Sequence, residues 1–218
     1  MKNSLKIKRL VGIATLAAIV VVLQLTSSYL PKLPGDLSLS LVLVPIVIGA
    51  ILYGPIGGAI LGFVFAFMVL IDPSTAVFYE ANLFATIVLV ILKSTLAGFV
   101  SGLLFKLLYK FNFFLAIVVA SVVTPCINTG IFIIGASMFF RGLFGGGIAV
   151  IIGIVGANFL VELGINVVLC PAIAIIIKTV VHNYNVGTNL DKSAIIKDEL
   201  TEEDIINEEI NKNIEDNI

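Results

Sequence analysis

Five or six apolar stretches of membrane-spanning length occupy the first ~180 residues of the chain. A hydrocarbon slab about 30 Å thick needs about 20 such residues for each helical crossing. Hydrophobic residues make up 59% of the sequence and charged residues 12%, the balance of an integral, multi-pass cell-membrane protein. The fold class read from this is all-α: a bundle of six transmembrane helices over residues 1–182, followed by an acidic cytoplasmic tail, 183–218.

The first helix is expected over Arg9–Leu30. Its basic leader resembles a signal peptide, but no small-residue cleavage site follows and the apolar run is long enough to span. Pro31, Pro34 and Gly35 make the next segment non-helical. Leu39–Tyr53 and Ile56–Ile71 flank Gly54-Pro55, which reads as a tight hairpin or, alternatively, as one long kinked helix. After the polar connection from Asp72 to Asn82, helices are expected over Leu83–Leu108, Phe113–Phe140 and Ile148–Ile177, the last two separated by a glycine-rich loop at Arg141–Gly147.

Lys2, Lys6, Lys8, Arg9, Lys106, Lys110 and Lys178 fall on one side of this map, and only Lys32 and Arg141 on the other. The positive-inside rule then puts both termini in the cytoplasm. From Asn183 onward the chain carries ten acids against three lysines. Such a segment has too little apolar surface to order itself, although Ile206, Ile210, Ile214 and Ile218 recur at the spacing of a short amphipathic helix. Cys126 and Cys170 lie inside apolar runs and imply no disulfide framework.

Three faces carry small residues four apart, which lets another helix approach at backbone distance. They are Ala14 and Ala18; Gly58, Gly62 and Ala66; and Ser94, Gly98 and Gly102. Packing within the chain accounts for such faces in general, but three of them leave room for an outside partner.

Lys93 and Glu162 are the charges placed inside the apolar stretches, where each costs at least ~2.5 kcal/mol. They must be paired with one another or employed. Asn158, Glu162 and Asn166 stack on one face of the last helix, and Ser121, Thr124 and Asn128 on one face of the helix before it. Pro125 removes a backbone donor beside that second face and is expected to kink it. At ~1.5 Å per residue, Lys93, Asn128, Asn158 and Glu162 reach similar depths, between the outer half of the bilayer and its middle. Such convergence from three helices is the geometry of a binding site. The plainer reading is a buried ion pair with asparagines as interhelical glue.

No catalytic residues, metal ligands or cofactor are expected. His182 is the sole histidine, and no His or Cys pair has metal-ligand spacing. Neither a nucleophile with its base nor a phosphate loop is present. The chain reads as a non-enzyme that does not hydrolyse ATP itself, and no nucleic-acid partner is expected.

The alanine-rich first helix behind a basic N-terminus, the segment from Pro45 through Gly49, Gly54-Pro55 and Gly57-Gly58 to Gly62, and Thr124-Pro125-Cys126-Ile127-Asn128-Thr129-Gly130 together resemble the substrate-binding S components of energy-coupling-factor (ECF) vitamin transporters. The likeness covers about Arg9 to Lys178. It implies a six-helix protein that binds a vitamin or vitamin precursor near its outer face. It further implies partnership with a transmembrane T component and two cytoplasmic ATPase subunits, and toppling in the membrane to release the ligand inside. In that family an alanine motif of the first helix docks on the T component, which Ala14 and Ala18 match. Ligand contacts come from the later helices and outer loops. The acidic tail departs from the compact family pattern.

The leading expectation is therefore a high-affinity substrate-binding subunit with Lys93, Asn128, Asn158 and Glu162 in or beside the pocket. A free Lys93 suits a carboxylate such as that of pantothenate, whereas a Lys93 neutralised by Glu162 suits riboflavin or a thiamin precursor. The alternatives are a self-contained secondary transporter or small channel using Glu162 and Lys93, against which the lack of a clear internal repeat counts, and a structural membrane protein needing no pocket.

Overall fold

A computed structural model describes residues 2–29, 41–144 and 148–183 of the chain. The Pro31–Ser38 loop, Gly145–Gly147 and the acidic tail with its isoleucine repeat lie outside the described residues. Among the described residues everything regular is helical: α1 (Lys2–Tyr29), α2 (Leu43–Leu70), α3 (Ala76–Leu108), α4 (Phe113–Phe139), α5 (Ile148–Val168) and α6 (Cys170–Asn183), with 3₁₀ turns at Pro73–Thr75 and Arg141–Phe144. Among the described residues, four helical segments are long and apolar enough to cross a membrane, or five if the bent α5–α6 pair counts as one span.

Helix α1 starts at Lys2, earlier than expected, because nothing before Gly12 breaks a helix and the leading Lys, Leu and Ile residues sustain one. Helix α2 is not straight. Gly54 takes φ 77°, ψ −172°, a positive-φ conformation that glycine reaches without steric cost. Pro55 comes next, at the first position of the second arm, where its missing N–H leaves no bond unmade. The two arms fold back on each other: a Cβ at Gly58 would meet the Cβ of Ala50 at 2.7 Å, and one at Gly57 the carbonyl oxygen of Gly49 at 3.2 Å. Residues eight apart in a straight helix would be about 12 Å apart, so the hairpin reading of Gly54-Pro55 describes this segment and the long-helix reading does not.

Asn82 breaks α3 with an extended backbone (φ −164°, ψ 96°) and caps the long apolar stretch of that helix, its Oδ1 accepting from the backbone N–H of Ala85 at 3.0 Å. The main span thus begins at the expected Leu83. The preceding polar connection is more ordered than the sequence suggested, with a 3₁₀ turn and a short helical piece. Thr86 ties that piece down by donating to the carbonyls of Phe78 at 2.9 Å and Asn82 at 2.8 Å. Pro125 sits inside α4 without ending it, so α4 runs unbroken to Phe139.

The single helix expected over Ile148–Ile177 is instead bent by 46° at Leu169. The cause is Pro171, which offers no N–H to the carbonyl one turn back and whose ring crowds it. Side chains occupy neighbouring carbonyls, with Asn166 Nδ2 donating to Glu162 O at 2.8 Å and Cys170 Sγ to Asn166 O at 3.2 Å.

Two of the small-residue faces find each other. A Cβ at Gly58 would run into the carbonyl oxygen of Gly98, one at Gly62 into that of Ser94, and one at Gly102 would meet Pro55 Cα at 2.8 Å. The second arm of α2 and α3 therefore touch backbone to backbone. The third face stays open: Ala14 and Ala18 are exposed, while Ile13 and Val20 are buried toward the bundle. Only 11% of the α1 span is buried, against 72% for α2, so α1 lies at the edge with its alanine stripe outward.

Candidate functional site

Lys93 and Asn128, placed at similar depths by the sequence, are in contact. Lys93 Nζ donates to Asn128 Oδ1 at 3.3 Å and lies 5.3 Å from the ring centre of Phe132 and 5.9 Å from that of Phe65. Helices α2, α3 and α4 thereby converge on one cation, held by an amide oxygen and the negative faces of two rings.

Lys93 keeps part of its surface and lines a half-open cavity of about 170 Å³. The walls include Thr75, Phe78, Thr86, Phe132 and Phe140. Phe78 packs edge-on against Phe132 (5.7 Å, 74°) and Phe140 (5.3 Å, 79°), the arrangement that ring quadrupoles favour. These rings sit on a small apolar cluster of Ala85, Leu89, Ala136 and Phe140. The cavity is thus an aromatic box with one ammonium group in its wall.

The direct Lys93–Glu162 ion pair of the plainer reading is not made. Among the described residues Lys93 forms no salt bridge, and Glu162 Oε2 is buried with no hydrogen-bond partner. Asn128 of α4, and not Glu162 of α5, bonds the ammonium group. Asn158, half-buried one turn before Glu162, is engaged in an interaction of its own. Of the four residues singled out in the sequence, Lys93 lines the cavity, Asn128 holds Lys93, and Asn158 and Glu162 lie outside the lining. On the other polar face, Thr124 turns back onto its own helix, donating to Ala120 O at 2.7 Å, while Ser121 Oγ is buried and unpartnered.

Sequence reasoning passed over the phenylalanines, which look like ordinary lipid-facing residues in such a chain. One signal was available: Phe132 stands four residues after Asn128 and so lies on the same face of α4.

A polar knot lies beside the cavity. Asp72 accepts from the hydroxyl of Ser28, from the N–H and hydroxyl of Ser74 at 2.9 and 2.7 Å, and from Gln24 Nε2 at 3.5 Å. Burial pushes the Asp72 carboxyl up, but the bonds from Ser28, Ser74 and Gln24 outweigh it and hold its pKa below the ordinary 3.8. The C-terminal part of α1 is tied in this way to the α2–α3 connection.

The family model described as ECF transporter, substrate-specific component, matches residues 8–174, and the chain belongs to that family. It is accordingly a membrane-embedded transport subunit of an ECF complex and not an enzyme. No curated protein and no solved structure is significantly similar to it.

Proposed function

We propose that the chain captures a water-soluble vitamin or vitamin precursor at the Lys93 cavity and passes it to an ECF complex made of a T component and two cytoplasmic ATPase subunits. The observation that carries this reading is the ammonium group of Lys93 in a box of aromatic rings, bonded to Asn128 and not neutralised by direct contact with Glu162. Such a group receives a carboxylate by a charge-assisted hydrogen bond, which favours an acidic ligand such as pantothenate over a neutral one. At about 170 Å³ the cavity is smaller than the roughly 300–1,000 Å³ usual for small-molecule pockets. It takes a carboxylate and a short chain, and a larger vitamin requires its walls to part. Asn158 and Glu162 serve as the polar flank of this site.

The chain crosses the membrane six times in this reading, with the two arms of α2 counted separately and both termini in the cytoplasm. The seven-to-two division of basic residues supports the orientation. Impermeant labelling of single cysteines checks it, and labelling of the tail in intact cells contradicts it.

Lys93→Met, Glu162→Gln and the double variant test the role of the cation. Lys93→Met is expected to weaken binding of an acidic ligand by about 1.5–3 kcal/mol, the worth of a charged hydrogen bond, with a smaller effect on a neutral analogue. Asn128→Ala is expected to cost about 1–3 kcal/mol of binding by leaving Lys93 without its partner. If instead each single charge change lowers thermal stability and the double change restores it, Lys93 and Glu162 serve each other and not a ligand.

A further inference from the structure

A second cavity, about 510 Å³ and larger than the one at Lys93, lies elsewhere in the bundle. It opens where the Gly54 turn of α2 meets the far end of α3, some 20 Å from the aromatic box at ~1.5 Å per residue along α3. Its walls combine two kinds of surface. Arg9, Lys106, Tyr53 and Tyr109 supply cations and phenols, while Ile56 (66% exposed) and Phe99 (38% exposed) supply an apolar rim facing outward from the bundle.

The cations are held differently. Arg9 Nη2 donates to the backbone carbonyl of Tyr53, which fixes the guanidinium at the turn. Lys106 is exposed and forms no hydrogen bond or ion pair among the described residues. A concave site with positive charge at its mouth and an apolar flank toward lipid matches an amphipathic anion. A water-soluble anion has no use for the Ile56 and Phe99 rim, and a neutral lipid has none for the two cations.

We infer that this cavity is a seat for an anionic phospholipid, its phosphate between Arg9 and Lys106 and an acyl chain along Ile56 and Phe99. The site is separate from the substrate cavity and stands whichever solute the chain carries. Its occupant braces the Gly54 hairpin against α1 and α3, the three elements that line it.

The test uses the purified full chain in non-ionic detergent, reading its thermal midpoint against added dioctanoyl phosphatidylglycerol, dioctanoyl phosphatidylcholine or inorganic phosphate. The phosphatidylglycerol is expected to raise the midpoint saturably, with the other two inert over the same range. Lys106→Gln is expected to raise the half-saturating concentration roughly fivefold, the weight of one basic residue at a lipid surface. Lys110→Gln, exposed at the same end but outside the cavity, leaves it unchanged. Equal responses to the two lipids, an equal effect of Lys110→Gln, or the whole response from inorganic phosphate would each overturn the assignment. Arg9→Gln adds a second arm, read by the same titration provided the unliganded midpoint is retained.

Discussion

Ala14→Leu and Ala18→Leu are expected to abolish uptake in cells while leaving ligand binding by the purified protein nearly unchanged. Both alanines are exposed on α1, whose inner residues Ile13 and Val20 already hold it to the bundle. Of the three small-residue faces, this one is not consumed by packing inside the chain. Small residues four apart permit contact at backbone distance, where van der Waals packing drives association in lipid. A leucine on that stripe pushes a partner helix outward and removes much of the contact, yet it points away from Lys93 and the rings around it. Uptake of labelled substrate and co-purification with the T and ATPase subunits should fall together. Normal assembly and transport by both variants would put the docking surface elsewhere.

Gly58→Leu and Gly98→Leu are expected to prevent the protein from accumulating in folded form. A Cβ at either glycine lands on the carbonyl oxygen of the other, and since both obstacles are backbone, no rotamer change relieves them. The cost therefore exceeds the roughly 1–3 kcal/mol of ordinary overpacking, against a total stability on the order of 5–15 kcal/mol. Gly130→Ala is the control, because a Cβ there meets nothing within 4 Å. Yield and monodispersity after detergent extraction report the outcome. Folded Gly58→Leu and Gly98→Leu proteins would mean that the second arm of α2 and α3 are not in backbone contact.

Much of the fold was legible because lipid is a demanding solvent. Length and hydropathy located the helices, and Gly54-Pro55 announced the chain reversal that a positive φ at Gly54 executes. The bend at Leu169 went unread although Pro171 stands in the sequence, because the apolar run around it reads as continuous. At the site the charges declared themselves by their cost, and Lys93 and Asn128 do meet. Glu162 was read at a similar depth, but helical depth fixes how far along the membrane a residue sits and says nothing about which neighbour it faces, and it is Asn128 that bonds Lys93. Phe78, Phe132 and Phe140 stayed hidden for a related reason: the sequence contains 15 phenylalanines, and only tertiary packing separates three that wall a cavity from those that face lipid.

The most direct measurement of the central claim is equilibrium binding of a panel of labelled vitamins and precursors to the purified full chain, without ATP, partner subunits or an ion gradient. One acidic vitamin is expected to bind tightly at one site per chain, and Lys93→Met is expected to release it selectively. A well-folded protein that binds no vitamin in the panel, or whose affinity is the same with Met at position 93, would contradict the account.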